Sequence, residues 1–328
     1  MPSVTTRLRS RLQALWKTVH RAEKNGMLGN HSAITEEFLR KNKIRLVPHT
    51  FDRPDNKPTY SSCDPPILFA PLSQSAIDDY PIDADELIDP DTAECDIDFI
   101  EYSPPKDVDN IYETRWRPNK CTEFLFSYLE NWVFGGFPRK NIGKCAWALS
   151  DLSGITRVSI PHGLYLGKGI SKTTGFPNKK WNAAVYEYRS EDDATQYPHV
   201  ILLSRQSDMG HDGSMMHGEL MQLITAMRNR AYQPMKGINE DDAAEEDIQD
   251  AQGPEFLFKD EQRFPVLMVS LVGPQHTRIY YACMDGQDVV IRQSPLYSLE
   301  KKDTTTLDYL ASFLSSKRLE EVKKMELS

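Results

Sequence analysis

Residues His217 to Tyr232 read HGELMQLITAMRNRAY, and from Pro265 the chain runs PVLMVSLVG, then TRIYYACM (277–284), Asp285-Gly286 and QDVVIRQ (287–293). Leu220, Leu223, Ile224, Met227 and Ala231 recur at helical spacing, which predicts an amphipathic helix. The three apolar runs that follow are the length of strands, and Asp-Gly between the second and third is a hairpin signal. A sheet with helices packed on it follows, and a last helix closes the block. That reading fixes an α+β class.

Working outward, two earlier runs, NAAVYEY (182–188) and HVILLSR (199–205), predict a hairpin or adjacent strands, and Ile155 to Ile160 alternates like another strand. Helices are expected over Thr122 to Phe134 and Ile142 to Leu152, the second closed by Gly154. Thr5 to Lys24 predicts an amphipathic helix with Leu8, Leu12, Leu15, Trp16 and Val19 on one face. Arg7, Arg9, Arg11, Lys17, Arg21 and Lys24 lie elsewhere on it. A short helix over Ile34 to Asn42 and a strand over Ile44 to Val47 follow. The organisation expected is an N-terminal helical segment (1–50), a Pro-rich and acidic loop region (51–115), and an α+β core domain (116–328) carrying an acidic disordered insertion at 238–252. The architecture expected is a mixed central sheet flanked by helices, with the N-terminal helical part packed against it.

Hydrophobic residues at 39% and aromatics at 10% of 328 residues are an ordinary globular composition. The chain has no run of about 18 apolar residues, so no membrane partner is expected. Five scattered cysteines, none in a CxxC pair, argue against a disulfide framework and a structural zinc site and fit a cytoplasmic or nuclear protein. Acid is concentrated: Asp78 to Glu101 holds eleven acidic residues and no basic one, and Glu240 to Asp250 holds seven. With those eighteen set aside from the 48, 30 acids face 39 Lys and Arg. The rest of the chain is therefore compatible with an anionic partner.

Chemistry has two candidate locations. GLYLGKGISKTTGFPNKK (163–180) is a basic, Gly-rich loop that lacks Walker A spacing, and Lys168 and Lys172 with backbone N–H groups suit a phosphate. SRQSDMGHDGSMMHGE (204–219) gathers Arg205, Asp208, His211, Asp212, His217 and Glu219 at a helix start, where the dipole favours anions. No standard metal-ligand spacing appears there, and a capped helix after a solvated loop explains the same residues. No metal site is assigned.

The element order from Trp181 to Lys317, together with Glu187-Tyr188-Arg189 at the end of one strand and Leu203-Ser204-Arg205 on the next, resembles the later half of the PD-(D/E)XK, or restriction-endonuclease-like, fold found in many filamentous-fungal proteins. The resemblance implies a divalent cation such as Mg²⁺, held by carboxylates while a lysine orients the attacking water. Here Arg189 stands for the lysine, 203–205 holds no carboxylate, and no Pro-Asp precedes. Gln222 falls where some members carry a helical glutamine.

The function expected is binding of, or action on, a nucleic acid or phosphate-bearing ligand by a nuclease-like fold without an intact metal-nuclease motif. One alternative is an aminoacyl-tRNA-dependent transferase, similar in kind to the fungal arginine-containing cyclodipeptide synthases. The other is a non-catalytic interaction protein. Glu187, Arg189, His217 and Glu219 are the catalytic candidates; Lys168, Lys172, Arg205, Asp208 and Gln222 are the ligand-binding ones. Cofactor and oligomeric state are left open.

Overall fold

A computed structural model describes residues 3–22, 28–29, 32–52, 63–83, 99–104, 116–141, 148–158, 169–172, 181–188, 197–233 and 256–320. The stretch quoted first forms helix α5 (His217–Ala231) and strands β6 (Val266–Gly273), β7 (His276–Asp285) and β8 (Asp288–Gln293). Before them come α1 (Val4–Arg21), α2 (Glu36–Lys41), β1 (Ile44–Pro48), β2 (Phe69–Ala70), α3 (Gln74–Asp78) and α4 (Pro118–Phe134). A 3-10 turn (Leu149–Ser153) leads to β3 (Ile155–Arg157), β4 (Trp181–Tyr188) and β5 (Val200–Met209). After β8 come β9 (Tyr297–Ser298), α6 (Thr304–Leu314) and β10 (Lys317–Arg318).

The main sheet is mixed, with order β1-β8-β7-β6-β5-β4-β3 and β9 added beside β7. β1 pairs with β8 in parallel and β5 with β6 in parallel; the other neighbours are antiparallel. α5 makes the crossover between the parallel pair β5 and β6. The order α4, β3, β4, β5, α5, β6 thus builds four adjacent strands with a helix on either side.

Both faces of this sheet are covered, which is why β6 to β8 read as nearly unbroken apolar runs and not as alternation. Trp181, Ala183, Val185, Val200, Leu202, Val266, Met268, Tyr280 and Ala282 face α5 and α1. Their chain neighbours, among them Tyr186, Leu203, Leu267, Val269 and Tyr281, face α4 and α6. All of α5 except Arg228 is buried, because the sheet takes one side of it and α1 the other.

α1 delivers Leu8, Leu12, Leu15 and Val19 to that layer, and its N-cap Ser3 accepts from Thr6 N at 3.1 Å. Arg9, which the helical spacing placed on the polar side, is buried. Its Nε donates to Ala231 O at 2.6 Å and its Nη2 to Phe258 O at 2.9 Å, capping the end of α5. β1, from the N-terminal segment, is the edge strand of this same sheet. No described helix is long and apolar enough to cross a membrane.

Candidate functional site

A set of polar groups interrupts the apolar layer between α5 and the sheet. Ser204 on β5, Ser270 on β6 and Arg278 on β7 are register partners in one transverse row. Glu219, in the first turn of α5, points down onto that row. Its Oε1 accepts from Ser270 Oγ at 2.8 Å and Arg278 Nε at 2.9 Å. Its Oε2 accepts from Arg278 Nη2 at 2.6 Å, Met216 N at 2.8 Å and Tyr280 OH at 2.9 Å. Five donors saturate the carboxylate, and neither Glu219 nor Arg278 exposes any side chain.

The ionic cluster also shapes the loop before α5. Arg278 Nη1 donates to His211 O at 3.0 Å and Ser214 O at 2.6 Å, so one guanidinium ties β7 to α5 and to residues 211–214. Burial is the largest influence on Arg278 and lowers it, but Glu219, Tyr280 and Asp212 together outweigh it and hold the guanidinium above its ordinary value. Burial likewise pushes the Tyr280 phenol well up, which keeps it a neutral donor. This is a pin that fixes helix to sheet.

Beside the pin lies a cluster without charge. Ser204 Oγ donates to Gln222 Oε1 at 2.6 Å, and Gln206 Nε2 donates to Ser204 Oγ and to Gln222 Oε1, both at 2.9 Å. Gln222 Nε2 then donates to Ile170 O at 3.0 Å, and Trp181 Nε1 to Gly169 O at 3.1 Å. Lys172 pairs its backbone with Trp181 and holds its ammonium 5.1 Å from the centre of that indole. The middle of the basic loop is therefore bound to the start of β4 and to α5. Gly218 makes this approach feasible: a Cβ there would stand 2.2 Å from Gln206 Oε1 and 3.0 Å from the Trp181 ring.

The sequence-predicted residues separate on this frame. Gln222 joins Ser204 and Gln206, and Lys172 lies against Trp181 beside them. Glu187 accepts from Arg230 Nη2 at 2.6 Å near the far end of α5. Arg230 stands eleven helical positions beyond Glu219, about 16 Å along the axis, so Glu187 does not share a site with His217 and Glu219. The His217 ring is buried against Trp181, with Nε2 2.7 Å from Val19 O. Arg205 turns to the opposite face, where it pairs with Glu123 at 3.3 Å and lies over Phe126. Asp208 accepts from Ser32 Oγ at 3.4 Å and from Met209 N at 3.0 Å. Lys168, Arg189, the insertion 238–252 and most of the Gly-rich loop lie outside the described residues.

Ser270, Arg278, Tyr280, Gln206, Arg230 and Trp181 belong to these clusters and were not singled out by the sequence. For Arg278 a signal existed: an arginine inside TRIYYACM is a charge in a run that is otherwise core, and a buried charge requires a partner. Nothing in the sequence announced that the partner is Glu219, 59 residues away.

The donor set does not suit a divalent cation. At the β4–β5–α5 junction the polar groups are a hydroxyl and two amides; the nearest carboxylate is saturated by Arg278, and Glu187 is held by Arg230. Among the described residues no three His, Cys, Asp or Glu side chains gather as a metal ion would need. No protein-family model, curated protein or solved structure matches the chain.

Proposed function

We propose that this protein binds a nucleic acid or another phosphate-bearing ligand on a restriction-endonuclease-like architecture, without cleaving it. The observation that carries the reading is the attachment of the Gly- and Lys-rich loop to the body: Ile170 O accepts from Gln222 of the neutral Ser204–Gln206–Gln222 cluster, and Gly169 and Lys172 bond to the neighbouring Trp181.

The order α4, β3, β4, β5, α5, β6 supports the architecture. In it the side chains at i and i+2 of β5 that face α5 are Ser204 and Gln206, one residue along from the alignment that placed Leu203 and Arg205 there. A cleaving enzyme of this plan needs a carboxylate and a lysine at such positions, to hold the cation and to orient water. Serine and glutamine supply neither charge, yet through Gln222 they hold Ile170 of a loop whose Gly- and Lys-rich composition suits an anion. Lys172, whose ammonium stands 5.1 Å from the centre of the buried Trp181 indole, provides a cation on the loop.

The test is fluorescence anisotropy with labelled single- and double-stranded DNA and RNA oligonucleotides, read with Mg²⁺ and again with EDTA, followed by gel analysis for cleavage. Binding should weaken by roughly tenfold or more between about 50 and 200 mM salt. It should be the same in EDTA, leave the oligonucleotide intact, and weaken in Lys172→Glu. Absence of binding at low salt, or Mg²⁺-dependent cleavage, overturns the reading.

A further inference from the structure

Helix α1 carries four arginines and a lysine in eighteen residues, and no aspartate or glutamate. Its apolar side is committed to the fold: Leu8, Leu12, Leu15 and Val19 are at most 1% exposed and pack in the layer of α5. Opposite them Arg7, Ser10, Ala14, Thr18 and Arg21 recur at helical spacing as its outer face, with Lys17 at the edge. Carboxylates meet the helix on its flanks. Asp260 acts on the buried Arg9, and Asp288 on Arg11, whose guanidinium donates to Asn42 O and Gln287 O. Arg7 and Arg21 are exposed, and among the described residues no carboxylate pairs with either.

The Gly-rich loop reaches the body beside this helix. A Cβ on Gly169 would stand 1.9 Å from Thr225 Oγ1, and that same hydroxyl accepts from Trp16 Nε1 at 3.1 Å. Arg228 joins the two helices there: its Nε donates to Gln13 Oε1 at 2.8 Å, and its guanidinium lies 5.0 Å from the centre of the Trp16 ring. Loop, α5 and the C-terminal half of α1 therefore border one another at Thr225. Arg7 and Arg21 stand fourteen helical positions apart, about 21 Å along the axis. Phosphates on one strand of a duplex follow at about 3.4 Å of rise, so that span covers about six of them. A small phosphate ligand held at the loop cannot extend along it, whereas a polynucleotide can.

We infer that the ligand of the Gly-rich loop is a polynucleotide whose phosphate backbone continues from the loop along the outer face of α1, where Arg21 and Arg7 meet it. This rests on the loop reading above and narrows it from phosphate-bearing ligands in general. The contacts are to backbone charge, so they add affinity without base preference. An anionic membrane fits less well. A helix lying in a lipid surface turns its apolar residues to the acyl chains, and those of α1 are already packed in the layer of α5.

The experiment titrates the full chain, wild type and variants, against labelled single-stranded and duplex oligonucleotides of about 20 nucleotides per strand over a range of salt. Arg7→Gln with Arg21→Gln removes two exposed charges and should keep the wild-type melting curve. It should bind about tenfold more weakly at about 100 mM salt, and its slope of log K against log salt should flatten by about 1.4 on the single strand and about 1.8 on the duplex. Ala14→Glu sets a carboxylate on the outer face between the two arginines and should weaken binding roughly threefold or more; it decides the matter if the double variant does not fold. Binding that Lys172→Glu weakens while the folded α1 variants leave affinity and slope unchanged overturns this inference and spares the loop reading. Binding that the α1 variants weaken and Lys172→Glu does not overturns the loop reading, and the inference with it, as does absence of oligonucleotide binding by the wild type. Tighter binding to vesicles of phosphatidylserine and phosphatidylcholine, lost in the double variant and displacing the oligonucleotide, overturns it in favour of a membrane.

Discussion

Glu219→Gln separates a structural pin from a catalytic acid. The substitution keeps the shape of the side chain and removes its charge. In the native protein the two carboxylate oxygens accept from five donors, with Arg278 supplying two of them at 2.9 and 2.6 Å. A glutamine keeps one oxygen and turns an NH₂ group toward donors it cannot accept from, in one orientation Met216 N, Arg278 Nη2 and Tyr280 OH. Arg278 retains the carbonyls of His211 and Ser214 but is left in a dry layer with no counter-charge. Breaking a buried pair from one side costs about 3–5 kcal/mol. That is a large part of the about 5–15 kcal/mol that holds a typical domain folded. Urea unfolding followed by far-UV circular dichroism should show the unfolding free energy fall by that amount, through a lower midpoint at unchanged slope. Glu219→Gln with Arg278→Met removes both charges and should recover part of the loss. A Glu219→Gln protein within about 1 kcal/mol of wild type that had lost ligand binding would refute the reasoning, because the carboxylate would then serve the ligand and not the fold.

Three further outcomes are expected. His199 is buried against Phe69 and Tyr188, with Nε2 3.1 Å from Leu319 O, and burial first, then Arg318 and Arg230, hold its pKa down to about 4. The unfolded ring titrates near 6.5, so the native state resists a proton that the unfolded chain accepts; the stability this provides is complete above that value. About 3 kcal/mol of it is lost as pH falls toward 4. Urea midpoints between pH 7.5 and 4.5 should therefore fall less steeply in His199→Gln than in wild type, and parallel profiles would count against the assignment. Gly218→Ala should lower the thermal midpoint by the equivalent of about 1–3 kcal/mol, because the new methyl meets Gln206 and Trp181. Helix propensity alone predicts a gain of about 1 kcal/mol, so a raised midpoint would show that α5 can lift from the sheet. Glu187→Gln weakens the partner of a buried Arg230 and should cost about 1–3 kcal/mol with oligonucleotide affinity unchanged; a loss of affinity in a folded variant would place Glu187 at the ligand.

Much of the architecture was legible from residue pattern, for reasons local to each element. A stripe of Leu8, Leu12, Leu15 and Val19, an Asp-Gly turn and three apolar runs each have one stable way to shed water, and each formed the element its pattern describes. The candidate site was legible only in part. Gln222 meets Ser204 in one cluster and Lys172 packs on the adjacent Trp181, whereas Glu187 and Glu219, both read as catalytic, lie near opposite ends of α5.

Composition and spacing therefore determined that this is an α+β chain with apolar strands, a helical cover and a basic Gly-rich loop. Tertiary structure alone decided which titratable groups are committed to holding it together. A carboxylate in a sequence looks alike whether it faces solvent, a metal or an arginine; what it can do depends on the charges and donors within about 4 Å. For Glu219 and Glu187 those neighbours are Arg278 and Arg230, contributed by β7 and by the end of α5, each distant in sequence from its carboxylate. For Gln206 the neighbour is a serine on its own strand and a glutamine on α5. The register of β5 against its neighbours and the seating of α5 on Gly218 bring these groups together, and no local pattern encodes either.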